Sequence, residues 1–234
     1  RAPGYAFGRT QLARVYLAYR RPDLAKEVLL GGLPHLAADT AYLQSALGFL
    51  LEFHEDAQLL GISTQMLAAP FHPATQPLLA TFAATAAFHR GNYNQAEDLL
   101  KRHRLGDSPD GATLLARIAW ERGWPDLAIL RLKEHLALNP QHDSLRSLLA
   151  GYYRSLGRLN DWETTLVERV AADPLAPAPR IAYLQVLHRR GDQARLERET
   201  TGILHQFGRE PTALLLLADF AANKLFGSDF DPFL

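Results

Sequence analysis

The chain of 234 residues has no cysteine and one methionine, and its charges cancel, with Lys+Arg and Asp+Glu both at 25. Without cysteine there are no disulfide staples and no thiolate metal ligands. That absence fits a periplasmic or membrane-tethered extracytoplasmic setting better than a reducing one. A chain that begins at Arg1 rather than Met is expected to be a piece of a longer protein. Zero net charge argues against a general nucleic-acid binder, which carries a basic surplus. The sequence also lacks a G-x-S-x-G elbow, a G-x-x-x-x-G-K-[ST] phosphate loop and a G-x-G-x-x-G after a strand. It therefore reads as non-catalytic, with no cofactor. Its nine histidines include no H-E-x-x-H and no i, i+4 pair, so no metal site is expected. No Asp, Glu, Lys or Arg falls between Ala57 and His89, but Pro70, Pro73 and Pro77 interrupt that span. The uninterrupted stretch Leu78–Phe88 falls short of the ~20 residues a spanning helix needs, so it reads as buried helix plus loop.

What the chain does have is a period. Gly91, Gly123, Gly157 and Gly191 recur at spacings of 32, 34 and 34 residues. Apolar pairs precede each glycine, Ala83-Ala84, Leu115-Ala116, Leu149-Ala150 and Tyr183-Leu184. Ala87, Ala119, Tyr153 and Leu187 follow on the same helical face. Behind the glycine stand Ala96, Ala128, Trp162 and Leu196, then Leu100, Leu132, Leu166 and Thr200. A glycine there closes one helix in the left-handed conformation, and Pro125 suits the first turn of the next. Asn139-Pro140 and Asp173-Pro174 stop the second helix. Each unit thus reads helix, tight turn, helix, proline-marked loop, and a recurrence near 34 residues predicts a stacked array of helical hairpins.

These residues resemble the tetratricopeptide repeat family. The match is best over Pro109–Pro140 and Asp143–Pro174. At the N-terminus, Arg20–Ala25 mirrors Gly123–Ala128 with Arg20 in the glycine's place. The resemblance implies an all-α fold, a right-handed α-α superhelix of antiparallel helix pairs. It runs as one array over 1–234, with repeats at about 6–37, 38–70, 77–108, 109–142, 143–176 and 177–210, a closing helix at 211–226 and a tail at 227–234. Pentatricopeptide arrays would be basic, and leucine-rich repeats need a strand signature that is absent. The departures are His103, His135, Arg169 and Ile203 where the family keeps a small alanine, and Trp162 where it keeps another small residue; they imply altered packing angles.

In this family the first helices of successive units line a concave groove that holds peptides or partner proteins. Carried over by spacing from each turn glycine, the resemblance implies that Arg14, Thr85, His89, Arg117, Trp120, Glu121, Gly151, Arg154, Gln185, His188 and Arg189 face that groove. A tryptophan flanked by arginines suits a peptide with acidic or carboxylate groups. The Lys/Asn/Arg clamp for chaperone tails is not found. The expectation is a protein-interaction scaffold, in a bacterial assembly or secretion system. The rivals are a targeting or substrate-holding module of a larger enzyme, and an envelope glycan-contacting module using Trp120, Trp124 and Phe88. The tail Gly227–Leu234 carries Phe230, Phe233 and Leu234; it is expected to fold back on the last helix, to lead into further sequence, or to enter a neighbour's groove in self-association.

Overall fold

The computed structural model describes residues 5–69, 73–139 and 142–226. Among these residues the regular elements are fourteen α-helices and one 3-10 turn, Pro73–Thr75. The chain divides into two compact units, 1–142 and 143–234, and the division falls at an expected repeat boundary.

The first unit comprises α1 (Ala6–Ala18), α2 (Pro22–Leu30), α3 (Leu33–Leu36), α4 (Thr40–Glu52), α5 (Asp56–Ala68), α6 (Gln76–His89), α7 (Tyr93–Arg102), α8 (Pro109–Glu121) and α9 (Pro125–Leu138). Helices α1/α2, α4/α5, α6/α7 and α8/α9 pack as hairpins, while α1 meets α4, α4 meets α6 and α6 meets α8. The second unit comprises α10 (Asp143–Ser155), α11 (Leu159–Ala172), α12 (Pro177–Arg190), α13 (Gln193–Phe207) and α14 (Pro211–Phe226). There α10/α11 and α12/α13 pair, and α14 packs on α12. The fold is an all-α helical repeat. The short helix α3 is an addition that the repeat pattern does not announce: Gly31 and Gly32 end α2, and Leu33 and Leu36 then turn into the core at 8% exposure each.

The turns explain the period. Gly91, Gly123, Gly157 and Gly191 have φ of 74°, 77°, 66° and 70°. Each is followed by a residue whose N–H reaches back to the preceding helix, Asn92 to Ala87 O at 2.8 Å and Trp124 to Ala119 O at 2.9 Å. These paired bonds satisfy carbonyls that the helix end would leave open. Arg20 and His54 occupy the same left-handed turn in the first two hairpins, both at φ 56°, with Arg21 N–H to Tyr16 O and Glu55 N–H to Leu50 O, each 2.8 Å.

The second part of the uncharged stretch, up to His89, is accounted for by α6. Its Leu79, Phe82 and Ala86 enter one apolar cluster with α1, α2, α4 and α5 residues. Its Ala80, Ala83, Ala84 and Ala87 enter another with Leu100, Leu114 and Ile118. A helix buried on two sides has no face for charge, and its alanines let neighbours approach closely. Among the described residues no helix is long and apolar enough to cross a membrane. In the second unit the core gathers Leu166, Ile181, Leu184, Leu187, Leu196, Ile203 and Phe207.

Candidate functional site

The second unit contains a cleft of about 210 Å³ between α10, α11 and α12. Helix α10 contributes Arg146, Ser147, Ala150 and Arg154, α11 contributes Trp162, Leu166 and Arg169, and α12 contributes Ala178, Pro179, Ala182 and Gln185. The spacing of the α11 set, i, i+4, i+7, is that of one helical stripe. Three guanidinium groups line the cleft, and no carboxylate does. Leu166, Pro179 and Ala182 are buried, and Trp162 and Arg169 half-buried. Burial lowers the Arg169 pKa from its ordinary value, and the charge of Asp173 acts against that shift. A partly desolvated cation gains more from an anion than a solvated one does.

Three of the lining residues differ in kind from their equivalents in the first unit. Eleven residues before the turn glycine the first unit has Ala80 and Ala112, buried at 0% and 5%, where this repeat has Arg146. Five after it, Ala96 and Ala128, both at 0%, correspond to Trp162. Twelve after it, His103 and His135 correspond to Arg169. Large side chains thus line the cleft at positions where the first unit has alanine or histidine.

Of the residues expected to face a groove, the structure brings Arg154 and Gln185 together in this cleft. In the same unit His188 sits edge-on to Phe220, centroids 6.2 Å apart, and Arg189 is exposed. In the first unit Arg14, Arg117 and Glu121 are exposed and Trp120 is half-buried. Thr85 donates its hydroxyl to Thr81 O at 2.9 Å, a bond within its own helix. His89 Nδ1 lies 3.0 Å from Asp56 Oδ1, so this side chain ties α6 to α5. Trp124 is 51% exposed beneath the Arg122 guanidinium, 5.4 Å from its ring centre. Arg146 escaped sequence reasoning, and so did the binding use of Trp162 and Arg169; the signal was their size where alanine or histidine recurs. Among the described residues no group of three or more His, Asp or Glu converges as metal ligands. The tail 227–234 lies outside the described residues.

No known family profile matches the sequence, and no curated protein matches it. Solved structures are similar in fold. One is a chain in the crystal structure of the APC/C hetero-tetramer Cut9–Hcn1, with a TM-score of 0.55 and 15% identity over 94% of this chain. The match covers 44% of that longer chain. Another is Pseudomonas aeruginosa pilF, with a TM-score of 0.56 and 11% identity over 94% of this chain and 100% of that one. Both are tetratricopeptide-repeat proteins. In fold, then, this chain is an all-α helical repeat similar to these tetratricopeptide-repeat structures.

Proposed function

We propose that the protein is a non-catalytic interaction scaffold that binds a peptide or partner protein carrying acidic or carboxylate groups, within a bacterial assembly or secretion system. The reading rests on one observation, the cleft lined by Arg146, Arg154 and Arg169 together with apolar side chains and by no carboxylate. Fixed guanidinium forks suit carboxylates, which they grip through two parallel hydrogen bonds. Arg117 adds weight in the first unit: it is exposed between buried Ala116 and Ile118, so its helix anchors it while its charge meets solvent. A helical repeat holds such side chains on rigid elements, and binding then requires little rearrangement.

The test is affinity capture with mass spectrometry, using the doubly charge-reversed chain R117E/R154E as control. Both sites are exposed, so the helical melt should be retained while the specific partner is lost. Partner recovery equal to that of the unaltered chain would overturn the assignment of these faces.

A further inference from the structure

The cleft is large enough for one large side chain. An apolar cavity of about 150 Å³ accommodates benzene, so about 210 Å³ accommodates an aromatic ring. Its lining offers Trp162, Leu166, Pro179 and Ala182 to such a ring, and three arginines to whatever flanks it. A guanidinium carries five N–H donors, more than one partner uses. The complementary ligand is an aromatic residue between carboxylates. The sequence of this chain contains that order in Ser228-Asp229-Phe230-Asp231.

We propose that the α10–α11–α12 cleft is a docking site for an aromatic side chain flanked by carboxylates, and that its occupant is the Asp229-Phe230-Asp231 segment of a second copy of this chain. The inference deepens the scaffold reading by naming the ligand of one of its surfaces. It draws on a combination found in one repeat: Arg146, Trp162 and Arg169 stand where the repeat before has Ala112, Ala128 and His135 and the repeat after has Arg180, Leu196 and Ile203. The ring enters against Trp162, where offset or edge-on packing is favourable. The two aspartates meet Arg146, Arg154 and Arg169. Phe230 contributes burial, and the aspartates contribute orientation and selectivity.

The experiment uses the full chain carrying Phe230→Ser as receptor, so that its own segment does not compete. The probe is a capped synthetic peptide of residues 227–234, titrated by calorimetry. The peptide should bind, and its Phe230→Ser or Asp229→Asn/Asp231→Asn versions should bind at least about tenfold more weakly. Receptors bearing Arg146→Gln/Arg169→Gln, or Ala150→Leu to fill the slot, should lose the peptide by a similar factor. Circular dichroism melts identify any variant that fails to fold, and the two receptor changes act through different chemistry. In sedimentation, the unaltered chain should associate with rising concentration and the Phe230→Ser chain should stay monomeric. Peptide binding that is absent at millimolar concentration, or indifferent to both receptor variants, overturns the site. A chain that is monomeric at all concentrations overturns the second copy as occupant. If the peptide fails while R117E/R154E still abolishes partner capture, the scaffold reading stands and this inference alone falls.

Discussion

Arg122, at the end of α8, places Nη1 2.6 Å from Glu97 Oε2 on α7, the second helix of the preceding hairpin. Its Nη2 lies 2.6 Å from Asn94 Oδ1 on the same helix, and Lys101 reaches the other Glu97 oxygen at 3.0 Å. The arrangement returns in the second unit, where Arg190 pairs with Glu163 and Asn160. In both, the arginine immediately precedes a turn glycine, and the carboxylate stands six residues after the glycine of the hairpin before. The left-handed turn fixes where the last helical side chain points, and the recurring period delivers a partner to it.

Because Arg122 and Glu97 side chains are only 18% and 14% exposed, the pair should matter more than a surface ion pair. A double-mutant cycle with Arg122→Met and Glu97→Gln should give a coupling of about 1–2 kcal/mol, above the ~0.2–1 kcal/mol of exposed pairs. Chemical denaturation of the four proteins measures it, and a coupling near zero would show the pair to be incidental.

Acid should find the same network. Burial pushes the Glu97 carboxyl up, but hydrogen bonds from Arg122 and Lys101, with their charges, outweigh it and hold the group below its ordinary value of 4.5. A carboxylate with a depressed folded pKa adds stability that is complete above the unfolded value and fades as pH falls through the folded one. Stability should therefore begin to drop below about pH 4.5. Glu97→Gln should flatten that limb of the stability–pH curve while lowering stability at neutral pH.

The turns give opposite expectations at equivalent positions. Gly123 has φ 77° and open space where a Cβ would stand, so Gly123→Ala is penalised by conformation alone, at about 1–2 kcal/mol. Arg20 and His54 already bear that strain at φ 56°. Arg20→Gly and His54→Gly should raise stability, by less than about 1 kcal/mol because glycine also gains freedom in the unfolded chain. Thermal melts of the three variants check the signs, and a stabilised Gly123→Ala would contradict the turn geometry.

The hairpin array was legible because it is built from local rules. Glycine at a helix end, proline at a helix start and a small residue on a buried face are each readable within a few positions. Arg20 was legible too, since Pro22-Asp23-Leu24-Ala25 repeats Pro125–Ala128 around it. His54 was not, because its hairpin shares little more than spacing with the others. The cleft was half visible. Trp162 and Arg169 stood out as too large for their positions, but size alone does not say whether a residue distorts packing or opens a slot. His135 shows the other outcome: at the position equivalent to Arg169 it is buried at 6% exposure, its Nε2 3.4 Å from Asn139 Nδ2. The contact of His89 with Asp56 was not legible, since it joins residues 33 apart and depends on how two hairpins stack.

Gly111 separates backbone crowding from helix preference. It follows the N-cap Ser108, whose hydroxyl accepts the Gly111 N–H at 3.1 Å and donates to Leu105 O at 2.8 Å. A Cβ on Gly111 would fall 1.9 Å from Leu105 O and 2.8 Å from its carbonyl carbon, so the start of α8 or the α7–α8 connection must move. Alanine for glycine inside a helix gains up to about 1 kcal/mol, whereas forcing atoms into occupied space costs about 1–3 kcal/mol. The clash involves backbone and cannot be relieved by turning a side chain. Gly111→Ala should therefore be destabilising by about 1–2 kcal/mol. Gly61→Ala, inside α5 with nothing within 4 Å of the added carbon, should be stabilising by about 0.5–1 kcal/mol. Melting the two variants side by side decides the matter: if both gain stability, the contact between Leu105 and Gly111 is looser than the structure places it.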